Sequence, residues 1–134
     1  MDEIILVVNE RNEVVGTAPR KEATLQKLWH RASYVFVYNR ELKTFAVQLR
    51  SKLKRYCPGY FDLANGGVMS ADDGTDLVNA QREVAEELGI SLEALQEENT
   101  KYPLWKIKTL KFEVPDDNFF CNVYLLVYDG EFKI

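Results

Sequence analysis

Gly66–Ile90, GGVMSADDGTDLVNAQREVAEELGI, decides the fold. It reads as a glycine turn, a short polar loop and one amphipathic helix that ends at Gly89. Glycine suits the left-handed residue that follows a helix, and Ile90 just beyond can pack back on the last turn. At about 100° per residue, Leu77, Ala80, Val84 and Leu88 fall on one side of the helix. Asp76, Asn79, Glu83, Glu86 and Glu87 fall on the other. The i, i+3, i+4 spacing of Glu83, Glu86 and Glu87 brings their carboxylates to one patch, where like charges disfavour the helix. Arg82 can pair with Glu86 four residues on. A hard divalent cation, which prefers carboxylate, carbonyl and water oxygens, is the simplest partner for the remaining charge.

A run of glutamates on a helix is ordinarily a solvated face. Here it has company, because the string from Arg82 to Ile90 reads R-E-x-x-E-E-x-G-apolar and the Gly66-Gly67 pair precedes it. That string resembles the Nudix hydrolase box, G-x5-E-x7-R-E-U-x-E-E-x-G-U, with U apolar. Arg82, Glu83, Val84, Glu86, Glu87, Gly89 and Ile90 match its second half. The first half departs: five residues on from Gly67 stands Asp73 where the family has Glu, and eight residues, not seven, separate it from Arg82; counted back from Arg82, the position is filled by Gly74. In the family that acid supports the loop and the arginine.

The resemblance implies an α/β fold, a Nudix-type mixed β-sheet with helices packed on it as an α/β/α sandwich, in a single domain over residues 1–134. It implies hydrolysis of a pyrophosphate linkage, often in a nucleoside diphosphate derivative, with Mg²⁺ or Mn²⁺ held by Glu83, Glu86, Glu87 and the Gly66 carbonyl. Glu86 and Glu87 would be ligands, Glu83 a ligand or the base, and Arg82 would orient the glutamates. The family's final helix, on the far face of the sheet, would lie beyond Ile134. A truncated C-terminus, a partner chain or the 20–28 segment would then account for that face. Uncovered apolar sheet favours self-association, so a homodimer is admitted.

Within the family the N-terminal stretch through His30-Arg31-Ala32 looks like the branch that includes isopentenyl-diphosphate isomerase. That branch carries a catalytic cysteine where this chain has Asn65-Gly66-Gly67, and a metal-binding histidine where it has Thr24. Both differences favour the phosphohydrolase reading. Isomerase-like chemistry and a catalytically weak nucleotide-binding protein are the alternatives.

The chain has 134 residues, 46% hydrophobic and 28% charged, with a formal net charge of −4. This is enough for one core, and it predicts no general attraction to a nucleic acid polymer or an anionic membrane. Against that balance, Arg50, Lys52, Lys54 and Arg55 form a basic run just before the glycines. It reads as a solvated loop or as a clamp for a polyanionic substrate, with Arg50, Lys54 and Arg55 as the phosphate-binding residues. The expected partner is a small-molecule diphosphate. The two cysteines, Cys57 and Cys121, have no metal-type spacing and predict free thiols. The N-terminus lacks the basic start and long apolar run of a signal peptide, and no run reaches membrane-spanning length, which predicts a cytoplasmic protein.

Outward from the box, 4–8 and 14–18 predict an N-terminal hairpin, and 20–28 a short surface helix or loop. His30 reads as a packed structural histidine. Residues 32–38 predict a central strand, with 45–49 returning as its partner. Residues 60–64 predict a short strand into the glycines, and 91–99 a helical turn. Residues 101–114 and 119–128 predict two long strands around the turn at Pro115–Asn118, of which 107–112 alternates as a half-exposed strand should. Asp116 or Asp117 is a weak candidate for a further ligand.

Overall fold

The computed structural model describes residues 3–40, 43–45, 48–49, 61–62 and 64–128. The N-terminal hairpin joins β1 (Ile4–Val8) to β2 (Val14–Pro19). Asn9 organises its turn: Oδ1 accepts from the backbone N–H of Arg11 and of Glu13 at 2.9 and 3.0 Å, and Asn12 takes φ 63°. Asparagine tolerates that left-handed conformation at low cost. Helix α1 (Arg20–Leu25) buries only Ala23 and lies against β1 and β2, so it is the short surface helix expected.

Strand β3 (His30–Asn39) is the spine of the sheet. It pairs in parallel with β9 (Asp117–Val127), from His30↔Phe119 to Tyr38↔Val127. Its other edge is shared by three strands. β1 meets it at Val7↔His30, β7 (Ala64–Val68) covers Ala32–Phe36, and β4 (Thr44–Phe45) holds only Tyr38 and Asn39. The return strand expected over 45–49 is therefore cut short. β7 already occupies the edge it would need, and β5 (Gln48–Leu49) pairs instead with β6 (Phe61–Asp62). β8 (Trp105–Val114) closes the far end against β9. Its expected half-exposed alternation is weak, because a strand at a sheet's end has neighbours on one side only; Trp105, Ile107 and Val114 are all exposed.

Helix α2 (Asp76–Leu88) packs across one face of this sheet. Thr75 Oγ accepts from the Val78 N–H at the start, and Gly89 ends it at φ 73° with Ile90 buried beyond, as the sequence predicts. Ala80, Val84 and Leu88 meet Val35, Val37, Tyr124 and Leu126, with Ile90 and with Leu95 of α3 (Leu92–Gln96) closing the end of the core. Two features differ from the helical wheel. Leu77 is 43% exposed, whereas Asn79 and Glu83, on the side expected to be polar and open, are 1% and 8% exposed. The cause is β7, which contacts α2 and walls that side. Among the described residues, no helix is long and apolar enough to cross a membrane.

Candidate active site

The glycines do not form a turn. Gly66 and Gly67 lie within extended β7, opposite Tyr34 and Ser33 of β3. What requires glycine is the helix above. A Cβ at Gly67 would stand 2.7 and 2.9 Å from the two carboxylate oxygens of Glu83 and 2.8 Å from its Cδ. A side chain there would have to displace the end of Glu83, so with glycine the acid lies directly on the strand backbone. Gly67→Ala is expected to lift Glu83 off the strand. Circular dichroism should still show a folded sheet and helix, while divalent-ion affinity, read by titration calorimetry, falls at least about tenfold.

Behind Glu83 the loop is fixed by Asp73. A 3-10 turn, Ala71–Asp73, is closed by Ser70 and Asp73 as a capping box, with Gly74 at φ 79° leading into α2. Asp73 Oδ2 accepts from the Ser70 N–H at 2.8 Å and from Asn79 Nδ2 at 3.3 Å, and Asn79 Nδ2 also reaches the Val68 carbonyl at 3.4 Å. Arg82 donates through Nε to Asp73 Oδ1 at 2.7 Å and through Nη2 to Oδ2 at 3.0 Å, a two-pronged pair on a 3%-exposed carboxylate. The shorter acid and the extra loop residue thus still deliver a carboxylate to Arg82. The orienting role of Asn79 was not read from the sequence. The signal for it was its place one turn before Glu83 on the same helix face.

Arg82 also touches Glu83 Oε1 at 3.2 Å and Glu86 Oε1 at 3.1 Å, the latter the pair expected from the i, i+4 spacing. The Asp73 hydrogen bonds hold its guanidinium firmly charged, against the opposing cost of its partial burial. Burial pushes the Glu83 carboxyl up to about 7; Arg82 pulls it back, while Glu86, Glu87 and Glu3 add to the rise. Glu86 is exposed and Glu87 half-buried.

Among the described residues no three acidic, histidine or cysteine side chains are gathered into one ligand cluster. Glu83, Glu86 and Glu87 are neighbours on one helix rather than a closed cage. The set still fits Mg²⁺ or Mn²⁺, because Mg²⁺ keeps several waters and asks only one or two carboxylates of a protein. The glycine cradle at Gly67 leaves Glu83 room beside the backbone that carries the Gly66 carbonyl. Arg50, Lys54 and Arg55 lie outside the described residues. Asp117 sits elsewhere, with Oδ1 3.6 Å from His30 Nε2, and His30 is the packed residue expected: Nδ1 lies 3.1 Å from the Leu28 carbonyl and the ring stacks on Phe119. Cys121 is a buried free thiol, pushed up to about 12 by burial and so unreactive.

Comparison with known proteins agrees with this fold. The NUDIX domain profile matches residues 28–134. YfcD of Escherichia coli, described as an uncharacterised Nudix hydrolase, is 43% identical over 85 residues, covering 63% of this chain and 46% of YfcD. The chain thus spans about half the length of that relative. PA4841 of Pseudomonas aeruginosa, described in the same terms, is 30% identical over 132 residues, 98% of this chain and 72% of PA4841. The crystal structure of DR0079 from Deinococcus radiodurans superposes with a TM-score of 0.72 at 27% identity, covering 98% of this chain and 76% of that one.

Proposed function

Because this chain belongs to the Nudix family, we propose that it hydrolyses the diphosphate linkage of a small phosphorylated metabolite, a nucleoside diphosphate derivative or a similar compound, with Mg²⁺ or Mn²⁺ as cofactor. The observation that carries this reading is the Glu83 carboxylate seated on Gly67, with Arg82 and Asp73 locked behind it. Glu86, Glu87 and the Gly66 carbonyl would hold the cation, with Glu83 able to join them. When bound, the cation would supply positive charge against the phosphate oxygens and acidity to the attacking water.

The remaining work falls to the chain's own residues. Glu83, with a carboxyl near 7, is poised to take a proton from water at neutral pH. Arg82 keeps Glu83 and Glu86 in place rather than touching substrate. The basic run Arg50, Lys54 and Arg55 is assigned to the substrate's outer phosphate, since guanidinium and ammonium groups match phosphate oxygens.

A panel of nucleoside diphosphate derivatives, assayed for released phosphate with Mg²⁺ and with Mn²⁺, tests the reading. Metal-dependent turnover of at least one compound is expected, and chelation should abolish it. If nothing turns over while Glu87→Gln leaves nucleotide binding unchanged, the protein is a binder and not an enzyme. Isopentenyl diphosphate in deuterated buffer should acquire no deuterium.

A further inference from the structure

The end strand β8 is uneven along its length. Its first half is blunted: Ile107 is the extra residue of a bulge between Lys106 and Lys108. Bulges and lysines both discourage a further strand from pairing. From Thr109 to Val114 the register with β9 is regular, and among the described residues β9 is the only strand that β8 pairs with.

Side chains alternate in this regular half. Leu110 and Phe112 stand opposite Cys121 and Phe119, on the face turned from α2, and Val114 follows two residues on. Thr109, Lys111 and Glu113 take the other face. Thr109 Oγ1 donates to Asn122 there, and Lys111 lies over the rings of Trp29 and Phe120 at 5.1 and 5.8 Å.

We propose that Leu110–Val114 pairs antiparallel with the same segment of a second copy of this chain, about a two-fold axis through Phe112. Such an axis sets each residue opposite one of the same face, and the side chains then match. Lys111 of each copy meets Glu113 of the other, Leu110 meets Val114, and Phe112 meets itself. Phe112 already stacks on Phe119, with centroids 4.9 Å apart and planes at 16°. The pairing would join two such stacks into a row of four rings. Other centres fail. An axis through Lys111 opposes two ammonium groups, one through Glu113 opposes two carboxylates, and one through Leu110 sets Glu113 against the bulge.

Sedimentation velocity over a range of protein concentrations tests this. The unaltered chain is expected to be a dimer, with Lys111→Glu and Glu113→Lys each weakening it at least about tenfold. The double swap K111E/E113K should restore the dimer. Glu113→Lys is the cleaner single change, because Lys111 also rests on two rings; a thermal melt checks that each variant folds. A monomer at all concentrations, a dimer indifferent to the single reversals, or a double swap that stays weak would each overturn the proposal.

Discussion

Replacing Glu83 by glutamine is expected to make the metal-free protein more stable at pH 8 and the proposed hydrolysis about 10²- to 10⁴-fold slower. The two effects share one cause. Glutamic acid ordinarily titrates near 4.5, and burial lifts Glu83 to about 7. Between those values the folded chain binds more protons than the unfolded chain, so its stability falls as pH rises through that window and levels off above it. The loss at pH 8 is on the order of 1–3 kcal/mol, with the pull of Arg82 already included. Glutamine carries no charge to desolvate and accepts no proton. Thermal melts of both proteins from pH 4.5 to 8, without metal, should therefore diverge as pH rises, with the variant flatter. Divalent-ion affinity of the unaltered protein should weaken below pH 7, where a proton competes for the same carboxylate. Turnover within tenfold of the original would remove Glu83 as the base, and a melt profile that keeps its slope would remove it as the titrating group.

Asp73→Ala should cost about 2–4 kcal/mol, a fall in Tm of roughly 10 °C. The change takes an acceptor from three donors at once: the Arg82 guanidinium, the Ser70 N–H and the Asn79 amide. Breaking a buried pair usually costs 3–5 kcal/mol. The lower figure applies because Arg82 keeps Glu83 and Glu86 as partners and its side chain is 27% exposed. Turnover should drop as well, since Arg82 would no longer be held from behind. Asp73→Asn separates the contributions. It keeps an acceptor for Ser70 and Asn79 but loses the charge, so a Tm midway between the two is expected. Equal Tm for the original and the alanine variant would show that the loop is anchored elsewhere.

Much of this architecture was legible in the chain. The capped helix from Asp76 to Gly89, the N-terminal hairpin and the strands around Val35 and Tyr124 follow from periodicity and from turn residues. The Arg82–Glu86 contact follows from helical spacing alone. What could not be read is whatever depends on a neighbour distant in sequence. Gly66-Gly67 carries the same composition whether it bends a chain or receives a carboxylate, and only the packing of α2 on β7 chooses between them. The helical wheel gave Asn79 and Glu83 to solvent because it cannot see β7. The split of 44–49 between two partners likewise reflects competition for one edge of β3.

Aspartate at position 73 and the eight-residue spacing to Arg82 work as one geometric unit. An acid shorter by a methylene reaches the guanidinium from a loop longer by a residue. Altering either alone would over- or undershoot a pair that closes at 2.7 Å. The two differences are therefore epistatic, and an evolutionary path between this arrangement and the glutamate version must change both together or pass through a weakened intermediate.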